Sequence, residues 1–474
     1  MHDVVPGRVR GPVLLALILL AGGGASAAPP AEAILRLAQE CETRQGGWVG
    51  LSVVDLRSGQ VLAGLRDQEL FCPASNQKIV TTAFGLARLG GDFTFTTALY
   101  QLGRHLAVLG NGDPTLGDPV LARQTGASIY DELDRWAGQV RQRVGPSVGG
   151  DLILCTRRPA GNYRPGDWPD NQRRRWYQAP VAALNFNDNC LDITFDVADG
   201  QPVPIVQPQS RLIRIVNQLR LGSPPRWNAL LADHDATVTL TGTVAAATTQ
   251  PAYVAVDDPP LLLGRVLADR LARAGVELGG TIRVAPADEL DWTGAVELAA
   301  TRTPLAVALT RANKSSLNMA AESIFLYAGD GTWPGTAALV GPALSQAYGV
   351  PAEQVAAADG SGLSPTNRIS PRAMTGLLAG LAARADRDVA LSSLSVCGVD
   401  GTLDDRLTEA PYRGRVLGKT GYIAGVSCLS GYVLDRAGQP AVAFAVLVNR
   451  CRGSAHAKRL QDSVCRALVD WLDA

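Results

Sequence analysis

The two ends of this chain carry mirrored patterns, and the mirror restricts the fold more than any other feature. Residues 31–44 place Ile34, Leu35, Ala38 and Cys41 on one helical face, and Trp48 to Asp55 and Gln60 to Leu65 then read as strands around the turn Arg57-Ser58-Gly59. Near the other end, Val426 to Leu434 and Ala441 to Val448 are apolar strands around the turn Asp435 to Pro440, followed by a helix with Leu460, Val464, Leu468 and Trp471 on one stripe. Strands from both termini, each beside a terminal helix, imply one antiparallel sheet closed by the first and last segments, with everything else inserted between them. The expected class is α+β.

The middle has a different texture. From Phe95 to about residue 250, short alternating segments such as Leu106 to Leu109, Asp192 to Val197 and Val238 to Val244 are separated by turns like Gly110-Asn111-Gly112-Asp113-Pro114, which reads as a β-rich insertion. Helical periodicity returns at Leu261 to Ala274 and from Pro304 through Tyr327.

Several function classes are disfavoured by charge and residue usage. The 474 residues carry 44 basic and 44 acidic side chains, so nothing steers the protein toward nucleic acid or an anionic membrane. The four histidines have no metal-ligand spacing, and no metal or organic cofactor is expected. Arg8 and Arg10 precede the apolar run Val13 to Ala21 and the small-residue site Ala25-Ser26-Ala27, so residues 1–27 read as a signal peptide cleaved before Ala28. An exported protein is expected, periplasmic or otherwise facing the cell wall, with no transmembrane segment in the mature chain. In an oxidising compartment some of the eight cysteines are expected to pair, in a connectivity the sequence does not choose.

Lysine is the informative basic residue. It occurs only at Lys78, Lys314, Lys419 and Lys458, and an ammonium can lose its proton inside a protein where a guanidinium does not. Lys458 reads as a solvated residue on a polar helix face. Ser75 begins a probable helix with Lys78 three residues on, so the amine can reach the hydroxyl and the helix N-terminus can favour developing negative charge. Alone, this Ser-x-x-Lys also fits an N-cap serine and a solvated lysine. Two further pieces follow in order: Ser316-Leu317-Asn318 within the helical stretch, and Lys419-Thr420-Gly421 just before the first C-terminal strand. Ser-x-x-Lys, Ser-x-Asn and Lys-Thr-Gly in that order are the set found in β-lactamases and penicillin-binding proteins.

Spacing refines the match. Ser75 and Ser316 are 241 residues apart and Ser316 and Lys419 only 103, so the surplus chain lies in the β-rich middle. With Gly112-Asp113-Pro114-Thr115-Leu116, Ala183-Leu184-Asn185-Phe186-Asn187, Asp359-Gly360-Ser361-Gly362-Leu363-Ser364 and Asp400-Gly401-Thr402-Leu403, the mature chain resembles the class C low-molecular-weight penicillin-binding proteins, D-alanyl-D-alanine carboxypeptidases and endopeptidases. The resemblance implies a penicillin-binding, β-lactamase-like domain from 28–95 and 286–474, an inserted domain from 96–190 and 250–285, and a smaller inserted β domain at 191–249. The implied partners are peptidoglycan peptides, with β-lactams as inhibitors. Three positions depart from the family: Leu317 where Asp is commonest, Tyr422 where a small residue is usual, and Pro365 where many relatives carry Arg.

The resemblance assigns the roles. Ser75 is the nucleophile and Lys78 its base, its proton affinity lowered by burial and by Lys419; Ser316 passes a proton to the leaving amine, and Asn318 positions Lys78 and a substrate amide. Lys419 and Thr420 suit the substrate's terminal carboxylate, Gly421 lies on a strand edge that can pair with the peptide, and the N–H groups of Ser75 and Tyr422 form the oxyanion hole. Asp359 to Ser364 reads as a tight loop near the cleft, Arg173-Arg174-Arg175 with Trp176 and Tyr177 as a solvated loop, and Cys72 as packing or disulfide. A β-lactamase or esterase, or a non-catalytic envelope-binding protein, are the alternatives; against the first stand the large insertion and the lack of a Glu-x-x-Leu-Asn segment.

Overall fold

The first strand of the chain pairs with the last. In the computed structural model, which describes residues 30–45, 47–156, 163–232 and 236–474, Trp48–Asp55 runs antiparallel to Pro440–Asn449, with Trp48 opposite Asn449 and Asp55 opposite Val442. The full sheet has six antiparallel strands in the order Ser395–Val396, Val416–Ile423, Val426–Leu434, Pro440–Asn449, Trp48–Asp55, Val61–Leu65. The expected signal peptide lies outside the described residues, apart from which no helix is long and apolar enough to cross a membrane.

The central strands are buried along almost their whole length because both faces are covered. Side chains alternate across a strand, so Val442, Phe444, Val446 and Val448 face one core while Ala443, Ala445 and Leu447 face the other. The first core is closed by the terminal helices Ala31–Gln45 and Ser454–Asp473, through Ile34, Ala38, Leu460, Val464 and Leu468. The second is closed by the helices Gln77–Leu89, Leu305–Lys314, Asn318–Ala328, Trp333–Tyr348 and Pro371–Ala382. Alanines on the strand's second face keep that helical layer close to the sheet, and the reacting groups sit where the two meet.

The insertion holds a mixed five-stranded sheet, two three-stranded sheets and a two-stranded pair of Ser147–Val148 with Glu277–Leu278. The strand order of the five-stranded sheet is Ile282–Pro286, Leu152–Thr156, His105–Gly110, Thr94–Leu102, Val296–Pro304. The edge strand Val296–Pro304, which lies past residue 285, pairs antiparallel with Thr94–Leu102, so the chain leaves and re-enters the catalytic half side by side. The middle is less purely β than its turns imply. The helix Asp131–Arg143, with Leu133, Trp136, Ala137 and Val140 buried on one face, packs there beside Pro259–Arg273. The three-stranded sheets are centred on Cys190–Ala198, whose Cys190 packs in the core of the catalytic half, and on Thr237–Val244.

Two expectations need correction. The helical stretch from Pro304 to Tyr327 is two helices, broken at Ser315 to Leu317, where Ser316 takes a left-handed φ of 53°. The cysteines are not paired: all eight are buried and free, packing as small apolar residues.

Candidate active site

The turn that carries Ser75 is pressed into place from two sides. Ser75 sits in a short 3₁₀ turn, Ala74–Asn76, that runs into the helix Gln77–Leu89, with Ala74 at φ 46°. Gly362, at φ +84°, approaches so closely that a Cβ there would lie 1.8 Å from the Ala74 carbonyl oxygen. From the sheet, a Cβ on Gly421 would lie 2.7 Å from the Pro73 carbonyl oxygen, and Asn76 Nδ2 donates to Ser430 Oγ at 2.7 Å. The Lys-Thr-Gly sequence lies within its own strand, Val416–Ile423, whose Gly421 therefore abuts the turn that carries Ser75.

One turn along the helix, Lys78 is fully buried. Its Nζ lies 3.1 Å from Ser75 Oγ and donates to Asn318 Oδ1 and to the Ser361 carbonyl oxygen, both at 2.7 Å. Burial pulls its pKa down to about 7, against the opposing pull of the Asp359 and Glu322 carboxylates. The second buried lysine, Lys419, donates to Ser316 Oγ at 3.1 Å and to the Thr420 carbonyl oxygen at 2.8 Å. Burial, and then the charge of Lys78, hold it well below an ordinary lysine. The like-charge effect expected on Lys78 thus falls on Lys419 instead.

The break between the two helices is what aims the middle motif. Ser316, in the left-handed turn, turns its hydroxyl to Lys419, while Asn318 opens the next helix and reaches Lys78. Asn318 Nδ2 donates to the Tyr177 carbonyl oxygen at 2.8 Å. Thr420 Oγ1 is bonded to Thr402 Oγ1 at 2.8 Å, and Lys314 pairs with Asp400 at 2.5 Å beneath them. Tyr422 is exposed at the rim. Ser75, Lys78, Ser316, Asn318, Lys419, Thr420 and Gly421 therefore converge on one cleft.

The insertion reaches this cleft as well. Trp168 Nε1 donates to Asp359 Oδ2 at 2.9 Å, Asp167 accepts from Ser364 Oγ, and Tyr177 supplies the carbonyl just described. The arginine cluster is less solvated than its composition implies: Arg173 and Arg174, with Arg164, share Asp257. Sequence reasoning missed the Tyr177 and Ser361 carbonyls, which no side-chain pattern announces. It also missed Glu322, whose signal was there: a lone acid four residues after Asn318 in the apolar run Met319 to Leu326.

An antiparallel sheet backed by helices, with a serine and a lysine at the head of the central helix and Lys-Thr-Gly on the facing strand, defines a penicillin-binding, β-lactamase-like serine hydrolase. More narrowly, the chain belongs to the D-Ala-D-Ala carboxypeptidase 3 (S13) family, whose profile matches residues 31–472, and is a class C low-molecular-weight penicillin-binding protein. It is similar to a D-alanyl-D-alanine carboxypeptidase of Actinomadura sp. strain R39, 29% identical over 460 residues, covering 90% of this chain and 82% of that protein. A D-alanyl-D-alanine carboxypeptidase DacB of Haemophilus influenzae is 26% identical over 424 residues, covering 85% of this chain and 86% of the other. The solved structure of penicillin-binding protein 4 (dacB) from Haemophilus influenzae shares the fold, with a TM-score of 0.76 at 22% identity over 91% of this chain and 98% of that one. The same protein has been solved in complex with a β-lactam, with a TM-score of 0.71 at 22% identity over 92% of this chain and 99% of that one.

Proposed function

We propose that the chain cleaves D-alanyl-D-alanine-type bonds in peptidoglycan stem peptides, as a carboxypeptidase, an endopeptidase or both, through an acyl-enzyme on Ser75. The observation that carries this reading is the buried Lys78 amine 3.1 Å from Ser75 Oγ, with a pKa of about 7. At neutral pH a large share of such a lysine is unprotonated and can accept the hydroxyl proton as Oγ attacks the penultimate D-Ala carbonyl. The N–H groups of Ser75 and Tyr422 hold the developing oxyanion. The proton then passes from Lys78 through Ser316 to the leaving amine, which departs as the C–N bond breaks and leaves an ester on Ser75. Water, deprotonated by the same lysine, hydrolyses that ester and restores the hydroxyl.

Lys419 and Thr420 receive the substrate's terminal carboxylate, and Asn318 holds Lys78 and a substrate amide in register. A β-lactam presents a strained amide to the same groups and acylates Ser75. The site works at the cell wall, reached by export under an N-terminal signal of residues 1–27. Labelling with fluorescent penicillin, followed by mass analysis of purified muropeptides after digestion, tests the reading: label on Ser75 and loss of terminal D-Ala or of crosslinks are expected. Retained label in Ser75→Ala would remove Ser75 as the nucleophile. Rapid release of hydrolysed penicillin with no change in muropeptides would make the protein a β-lactamase.

A further inference from the structure

Glu322 is fully buried and takes no part in the chemistry just described, yet it stands one peptide away from the catalytic lysine. Its Oε1 accepts the Ser361 N–H at 2.7 Å, and its Oε2 accepts the Gly360 N–H and Trp333 Nε1, both at 2.9 Å. The carbonyl of the same Ser361 accepts from Lys78 Nζ at 2.7 Å, and the Gly360 carbonyl accepts from Thr81 Oγ1, one turn along the helix from Lys78, at 2.6 Å. A continuous path of hydrogen bonds thus runs from the Glu322 carboxylate, through one dipeptide, to the amine beside Ser75.

We propose that Glu322 is a positioning residue for acyl transfer: it fixes the Ser361 carbonyl on Lys78 and supplies negative charge that acts on the Lys78 ammonium. This rests on the reading of Lys78 as the base. Three N–H groups donate to the two oxygens of Glu322, which suits a carboxylate, and the Ser361 hydroxyl also acts on it. Burial and the charge of Asp359 push the other way, raising Glu322 above an ordinary glutamic acid. The charged groups facing Lys78 are Asp359 and Glu322, and Lys419 senses Lys78 from the opposite side. Both carboxylates favour the ammonium form, so Glu322 holds the amine's proton affinity up against the pull of burial. Without it, Lys78 would be a weaker base.

The test uses the scarcity of lysine. With four lysines in the chain, ¹³Cε-labelled lysine gives four signals to follow through a pH titration, and the Lys78 signal is identified by its loss in Lys78→Arg. In Glu322→Gln the Lys78 midpoint is expected to fall by on the order of one pH unit. The acidic limb of penicillin acylation should move with it. Its plateau should drop about tenfold, because the amide turns an N–H toward backbone donors and loosens the Ser361 carbonyl. Glu322→Asp keeps the charge on a shorter arm, so it should restore the midpoint and leave the plateau low.

An unmoved Lys78 midpoint in Glu322→Gln overturns the proposal, whatever happens to the rate. If that variant does not fold, Trp333→Phe takes its place. Removing one N–H donor makes the carboxyl hold a proton more tightly, and the midpoint should fall by a smaller amount; no movement there overturns the proposal too. The titration needs no turnover, so it stays separate from failure of the proposed activity, which would show as absent penicillin labelling in the unaltered protein.

Discussion

Lys78 and Lys419 are both removed from water, but their surroundings differ in kind. Around Lys78 stand two carboxylates and two neutral acceptors, Asn318 Oδ1 and the Ser361 carbonyl. Among the described residues Lys419 bonds a hydroxyl and a carbonyl, with Lys78 the charge acting on it. The acids keep Lys78 within reach of neutral pH, where it can both take and return a proton. Among the described residues no acid acts on Lys419, and on the proposed function the substrate's terminal carboxylate is the anion it receives. On the proposed function, a carboxylate bound there would favour the charged form of Lys419, and that charge would disfavour the ammonium form of Lys78.

The comparison breaks most visibly at Lys78 itself. Lys78→Arg keeps a positive charge that cannot be given up, and single-turnover acylation by fluorescent penicillin should fall by about 10³-fold or more. Lys419→Arg should retain measurable acylation, with a loss on the order of 10²-fold, because only the shape of the cation changes. Equal losses in the two variants would show that the lysines are not divided between base and anchor.

The pH profile sharpens the point. Acylation needs the neutral amine, so kcat/KM should rise about tenfold per pH unit below the Lys78 pKa of about 7 and level off above it. In Lys419→Arg the permanent charge should carry that limb to lower pH; a limb that stays put would mean that the two sites do not sense each other. The smallest effect is expected far from both lysines. Replacing residues 211–246, which carry the sheet centred on Thr237–Val244, by a short linker should leave kcat/KM for a small thioester within about twofold and lower that for crosslinked muropeptide several-fold more. A ratio of the two constants equal to that of the intact protein would remove that sheet from substrate selection.

What the sequence made legible follows from where the information is held. The sheet strands were readable because burial on both faces makes them mostly apolar, and the motif side chains because chemistry demands those residue types at those places. The break at Ser316 was not readable. Periodicity runs on either side of it, no Gly or Pro marks it, and the left-handed φ falls on a serine held by its bond to Lys419. The helix Asp131–Arg143 was the opposite case: Leu133, Trp136, Ala137 and Val140 carry the helical spacing, but they sit among turns that favour strands. Main-chain carbonyls such as those of Ser361 and Tyr177 enter the site by topology, and every residue has one.

The pairing of the first strand with the last also sets an order of events as the chain is made. Residues 48–55 and the nucleophile helix emerge early, while their sheet partner at 440–449 is synthesised almost at the end. Contacts that far apart in sequence form late and slowly. Until then the edge of Trp48–Asp55 is open, although Ser75, Lys78, Asn318, Ser361 and Lys419 have all been made. A chain that stops before residue 440 therefore holds every motif residue but not the strand that joins Trp48–Asp55 to Val426–Leu434, and it is expected to take up no fluorescent penicillin.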